Sequence, residues 1–308
     1  MELGIVLNQV GILFIIMIIG FAAGKAGVID GVGSKKLAGV MLYVTSPMMV
    51  LKSFFIEFSA EKVVNILWIM GMGFLMFILA IFLSKLLYGG FPAEISPVLR
   101  FTAIFSNCGY MGLPLMKALY GDSGVFYGSF YIVAFHIVLW TYGFVMFGGQ
   151  GSRKQVIKRV FTNPSIIAVY VGMVIFIFSL KVPATITSAV TAVGDMTMPV
   201  SMLIIGAVIS TAKFNTIFSD WRVYLSSAVR LILMPLIAFG LTRIPGIPAL
   251  PAVVLVTALA MPVAANTTIF SEMFNKDAVF ASKSVSVSTI LSILTIPIIV
   301  SLLSGFSF

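Results

Sequence analysis

Long stretches without a single Asp, Glu, Lys or Arg constrain this chain more than anything else in it: Ile5–Ala23, Val63–Ser84 and Val125–Phe147 are each of this kind. A helix of about 20 apolar residues crosses the roughly 30 Å hydrocarbon core of a bilayer. A soluble domain needs about a quarter of its residues charged to cover itself against water. Here 9% are charged, 60% are apolar and mean hydropathy is +1.14. At about 20 residues per crossing plus short connections, 308 residues allow about ten crossings and leave no room for a soluble catalytic domain. The fold class expected is therefore all-α integral membrane.

Hydropathy and helix breakers place helices near 5–23, 35–56, 63–88, 97–120, 123–147, 163–180, 184–211, 222–242, 248–274 and 278–303. The net charge of +9 could have pointed to nucleic acid, but the distribution of the basic residues argues for a membrane instead. Assigned to their nearest connections, 13 of the 19 Lys and Arg fall on the odd-numbered loops and 5 on the even-numbered ones. Cytoplasmic loops carry such an excess, so both termini are expected outside the cell (inner) membrane, on its periplasmic face. The first apolar stretch has no basic n-region and no small-residue cleavage site, and reads as a span rather than a removed signal. The lone Cys108 falls within a span, where it has no disulfide partner in the chain.

The longest hydrophilic stretch, Gly148–Arg159, lies at the midpoint and divides the ten helices five and five. Residues 1–150 and 151–308 are then two repeats. An odd number of helices per half forces them into opposite orientation, the inverted repeat of many transporters. Proline tests the idea. Pro47 in the second helix matches Pro199 in the seventh, and Pro114 in the fourth matches Pro262 in the ninth. A mid-span proline frees backbone carbonyls that lipid cannot satisfy, so it survives where protein or a water-filled cavity surrounds it.

The fourth helix adds Asn107, Gly109 and Gly112 ahead of Pro114, and the ninth adds Ala264, Asn266 and Thr267 after Pro262. Both stretches are expected to be unwound near the membrane midplane. Helix N-termini at such breaks offer free N–H groups and partial positive charge to an anion. The Asn side chains either donate to a carboxylate or re-satisfy the broken backbone. Asp195, four residues before Pro199, reads as a proton carrier, as a neutral acid bonded to a freed carbonyl, or as the partner of a basic residue. Arg230 reads as pairing with substrate, as pairing with a carboxylate or, the reading preferred, as snorkelling to the cytoplasmic interface, and is grouped with Asp195, Pro47 and Pro199 as a proton or support site. His136 reads as a proton carrier or, the reading preferred, as packed and bonded to a neighbouring helix, and Ser288, Ser292 and Thr295 as a close-packing face or a cavity lining. One histidine, no paired carboxylates and no P-loop leave nothing for a metal centre, a nucleophile–base pair or ATP hydrolysis. Neither an enzyme nor a cofactor is expected. A receptor or channel-like subunit is the remaining alternative, and the absence of a soluble output domain argues against a sensor.

The order and spacing of the motifs resemble the auxin efflux carrier family, plant PIN-type auxin exporters and bacterial organic-acid permeases, over essentially the whole chain. Asn107–Gly121 resembles that family's broken fourth helix; Asn163-Pro164 opens the second half as it does; Gly194–Gly206 resembles its seventh helix around Asp195; and Val229–Pro235 carries the family's arginine onto Arg230. The ninth-helix crossover through Pro262 is similar too, although Ala-Ala-Asn-Thr-Thr is more polar than its plant counterpart. The resemblance implies an elevator-type carrier of a mono- or dicarboxylate, malate-, malonate- or auxin-like. It would have a homodimeric scaffold of helices 1, 2, 6 and 7 and a moving bundle of helices 3–5 and 8–10. A sodium-coupled symporter of the related bile-acid type, with Ser106, Asn107 and Thr268 as oxygen ligands, is the alternative mechanism.

Overall fold

A computed structural model describes residues 3–148, 161–211 and 218–303. The described elements are helical, apart from one isolated β-bridge. In chain order the helices are α1 (Leu3–Lys25), α2 (Gly31–Val40), α3 (Ser46–Ser53), α4 (Ala60–Tyr88), α5 (Ser96–Ile104), α6 (Leu113–Val138), α7 (Phe144–Met146) and α8 (Pro164–Ile177). There follow α9 (Ala184–Asp195), α10 (Thr197–Ser210), α11 (Trp221–Ala228), α12 (Met234–Leu241), α13 (Ala249–Ala260), α14 (Asn266–Met273) and α15 (Ala278–Leu302). Among the described residues, six helical stretches are long and apolar enough to cross a membrane, and α8 and α13 are shorter apolar helices. Most of their bounds lie within a few residues of the segments expected from hydropathy; the exceptions are Cys108–Met146, which runs through the expected 97–120 and 123–147 boundary, and α13, which ends well before residue 274. The midpoint stretch Gly148–Arg159 falls, beyond Gly148, outside the described residues.

Prolines act in two ways. Widened π turns at Met41–Thr45, Cys108–Gly112 and Val229–Leu233 each end two residues before a proline: Pro47, Pro114 and Pro235. Proline lacks an N–H and its ring crowds the carbonyl one turn back, and a turn one residue wider removes that conflict. The second helix is therefore continuous past Pro47, which is buried in the first turn of α3. Pro199 occupies the first turn of α10, after a break at Met196. The structure differs from the expectation of matched interruptions here, because only the fourth and ninth segments lose helical conformation over several residues.

Packing groups α1 with α10 and α3 with α8 and α9, while α4, α5, α6, α11, α12, α13 and α15 pack among themselves. Each group mixes elements from both halves of the sequence. The α1–α10 contact rests on glycine: a Cβ on Gly206 would lie 1.9 Å from the Met17 carbonyl oxygen, and one on Gly20 would lie 2.4 Å from that of Leu203. The second group is filled by aromatic rings, with Phe101, Phe105, Phe126 and Tyr131 fully buried. Within α6 the chain kinks at Gly121, whose φ of +64° favours glycine. Beside that kink Lys117 bonds Asp122.

Candidate functional site

The fourth segment turns extended at Phe105 and stays non-helical through Asn107, and the ninth turns extended at Met261 and returns to helical geometry at Ala265. They meet there, antiparallel, with Ser106 opposite Val263. The Asn107 N–H donates to the Pro262 carbonyl at 2.8 Å and the Ala264 N–H to the Phe105 carbonyl at 3.1 Å. Each chain thus satisfies a group that the other's broken helix leaves free. The Val263 N–H donates to Ser288 Oγ at 3.1 Å, so the serine face of α15 serves the crossover as well as close packing. Beyond the crossing, the Asn107 carbonyl accepts from Met111 and Gly112. Gly112 is tight: a Cβ there would lie 3.2 Å from Met261 Cγ.

Arg230 corrects the sequence reading most sharply. It does not snorkel but is 0% exposed, its guanidinium donating to the carbonyl of Ala103 at 2.9 Å and to that of Leu259 at 2.6 Å. These carbonyls close the ends of α5 and α13, so one cation caps the negative end of both half-helices that lead into the crossover. The surrounding protein supplies the carbonyls that make burial tolerable.

The N-terminal ends of the other two half-helices, starting at Cys108 and Asn266, border a cavity of about 240 Å³. Asn107, Gly109, Ala264 and Asn266 line it, as do Ser106 and Cys108. Gly112, Pro114, Pro262 and Thr267 do not. The two prolines are buried beside it, Pro262 within the crossing and Pro114 in the first turn of α6. Thr267 is buried with its hydroxyl unpartnered, and Thr268 also lies outside the lining, which parts it from Ser106 and Asn107 as a shared set of oxygen ligands. Among the described residues no group of three or more His, Cys, Asp and Glu could hold a metal ion.

Pattern reasoning missed the walls. Tyr110, Ile132, Phe135, Trp140, Ile269 and Phe270 make them largely apolar, and His136 and Asn163 add polar edges. A lone histidine and an N-cap asparagine carry no sequence signal that separates a cavity wall from ordinary packing. Asp195 lies elsewhere. It ends α9 rather than sitting in a helix interior, its carboxylate is 53% exposed, and Lys52 of α3 lies 3.7 Å away. Of the roles considered for it, partnership with a basic residue is the one the geometry supplies. The same lysine reaches Asp122 at 4.0 Å.

A backbone crossing beside an open, apolar-walled cavity, inside a chain of membrane-length helices, is an arrangement of membrane carriers. Residues 5–300 match the family described as membrane transport protein. The chain belongs to that family, as its resemblance to auxin efflux carriers implied. An uncharacterized transporter of Methanocaldococcus jannaschii, MJ1031, is 24% identical over 306 residues, covering 94% of this chain and 96% of its own. An uncharacterized transporter of Methanothermobacter thermautotrophicus is 24% identical over 204 residues, 65% of this chain and 66% of its own. The protein is thus a multi-pass membrane transporter and not an enzyme.

Proposed function

We propose that this transporter is a secondary carrier for a small organic anion, a mono- or dicarboxylate, bound in the cavity beside the crossover. The observation that carries the reading is the pairing of Ser106 with Val263, which holds two helix N-termini at one cavity while Arg230 caps the opposite ends. The exposed amides and partial positive charge then fall to the guest. In this reading Asn107, Gly109, Ala264 and Asn266 contact the anion, while Gly112, Pro114, Pro262 and Thr267 keep the two breaks in register.

The ten helical segments form a five-plus-five inverted repeat, and the two packing groups divide the labour. The α1–α3 and α8–α10 group is a scaffold that pairs with a second copy. The group around α4–α7 and α11–α15 moves as an elevator. Lys52, paired with Asp195 inside the scaffold, reaches Asp122 of the moving group beside the Gly121 kink. Trp140, Asn163 and Met273 put the cavity on the side of the basic-rich connections, so with the termini outside the cell membrane this conformation faces the cytoplasm.

The test is a thermal-shift screen of the purified protein against mono- and dicarboxylates, followed by proteoliposome uptake of the acid that stabilises it. Asn107→Ala is expected to abolish that uptake with the melting temperature nearly unchanged. Unaltered uptake by the variant would refute the site.

A further inference from the structure

His136 projects from α6 into the cavity wall, and its environment fixes which nitrogen carries the proton. Asn163 is the N-cap of α8: its Oδ1 accepts the amides of Ser165 and Ile166 at 3.0 and 3.4 Å. That leaves Asn163 Nδ2, a donor, facing His136 Nε2 at 3.4 Å. A donor opposite Nε2 requires a lone pair there, so the neutral ring holds its hydrogen on Nδ1. Nδ1 is buried and has no hydrogen-bond partner. A buried donor left unmade is costly; Nδ1 has almost no surface open to the cavity that His136 lines, so an acceptor there meets it through a small turn of the ring.

The charges around the ring give no reason for it to ionise. The cavity lining has no Lys, Arg, Asp or Glu, and its other titratable side chains are Tyr43, Cys108 and Tyr110. On the helices packed against α6, the ionisable groups are Lys25 of α1, Lys52 of α3, and Glu61, Lys62 and Lys85 of α4. On α6 itself they are Lys117 and Asp122, with the tyrosines Tyr120, Tyr127 and Tyr131. None of these lines the cavity. Ser106, whose hydroxyl lies beside Cys108 and Tyr131, belongs to the same lining.

We infer that His136 is a specificity-determining residue that holds one carboxylate of the cargo as a neutral Nδ1–H donor, its tautomer set by Asn163. The inference rests on the carrier reading above. It deepens that reading in one respect: recognition by neutral donors and helix ends within apolar walls suits a singly charged acid with an apolar body, and leaves the second charge of a dicarboxylate uncompensated.

The experiment measures the affinity of the purified protein for benzoate, phenylacetate, malonate and malate by titrated thermal shift, from about pH 7 to pH 9, where the acids stay ionised and an ordinary imidazole stays neutral. Wild type is expected to prefer the monocarboxylates and to bind them with no pH dependence. His136→Asn, whose amide can stand where Nδ1 stood, should bind within about threefold of wild type, whereas His136→Gln and His136→Leu should each lose about tenfold or more. Asn163→Asp should accept a hydrogen bond from Nε2–H, which moves the neutral ring's hydrogen off Nδ1 and favours the doubly protonated ring, so binding should weaken as pH rises and that ring loses its Nδ1 hydrogen. Melting temperatures without acid separate these effects from misfolding, and the Gln and Asp variants test the idea should Leu not fold. If His136→Gln binds as wild type does, or wild-type affinity falls steeply across that range, the assignment is overturned while the carrier reading stands. If none of the four acids shifts wild type, the organic-anion reading falls and takes this inference with it.

Discussion

At the α1–α10 contact two intact helices approach until backbone meets backbone, and at the crossover two chains do the same after giving up helical structure. In the first case every N–H and C=O is already used within its own helix, so closeness contributes only dispersion, and any added atom is pure collision. In the second the backbone groups are free and closeness supplies hydrogen bonds, so the contact tolerates side chains but depends on each partner being present. One surface is built by omission, the other by exchange. A carrier has use for both, because a scaffold must not yield and a binding site must leave some donors for its guest.

The sharpest way to break the comparison is at Gly206. Gly206→Ala puts a methyl 1.9 Å from the Met17 carbonyl oxygen and 2.6 Å from the Phe21 nitrogen, both backbone atoms that cannot rotate away. The expected cost is about 3 kcal/mol or more, seen as loss of monodisperse protein in gel filtration. Gly71→Ala on α4, where a Cβ meets nothing within 4 Å, is the matched control and should melt at or slightly above the wild-type temperature.

Arg230→Met tests the exchange side. It strands the carbonyls of Ala103 and Leu259 together, at about 1–3 kcal/mol for each buried group, so the melting temperature should fall clearly, by an amount comparable to that at Gly206 if both groups stay dry. Arg230→Lys keeps the charge but lacks the planar fork that spans both carbonyls, and should lie between the two. Equal melting of Arg230→Met and wild type would show that the half-helix ends need no cation. Ser288→Ala removes one acceptor, that of the Val263 amide, with about 1 kcal/mol expected. If hydrogen exchange at Val263 is unchanged in that variant, the serine is packing alone.

Helix positions and the two broken segments were legible because hydrophobic runs and Gly–Pro–Asn clusters act locally. Asn107, Gly109, Ala264 and Asn266 reach the cavity from motifs that advertise a break. What was not legible depends on partners far along the chain. Arg230 reads as a snorkelling residue from its own helix alone; only the arrival of Ala103, 127 residues away, and Leu259, 29 residues away, makes its burial intelligible. Asp195 likewise depends on a distant partner: within the span Ala184–Ser210 it ends α9 just before Met196, and only the arrival of Lys52 shows which basic residue it pairs with. Pro47 and Pro114 differ for a similar reason: both follow a π turn, but only the second follows a stretch that has a partner strand with which to exchange hydrogen bonds.

The smallest expected effect lies away from both contacts, at the entrance to α11, and sets the scale for a polar group that neither omits nor exchanges anything in the core. Asp220 caps α11 by accepting the Arg222 amide at 3.0 Å, and its carboxylate is bonded to the Arg222 guanidinium at 2.6–3.1 Å. The side-chain hydrogen bonds from Arg222 hold the carboxyl below its usual range, with burial opposing. A depressed folded-state pKa means that the unfolded chain binds the proton more readily; the pair therefore stabilises above the ordinary carboxylate pKa of about 3.9, and the gain is lost as pH falls through the lower folded value. Asp220→Asn keeps the cap, for Asn and Asp are equivalent there, and removes only the ion pair, which at a partly exposed site contributes about 0.2–1 kcal/mol. Thermal melts at neutral pH should place the variant slightly below wild type, with the gap closing as the solution is acidified below the carboxylate range. A gap that persists in acid would mean that the amide disturbs the cap itself, and the helix entrance would then belong with the contacts that depend on backbone geometry rather than on charge.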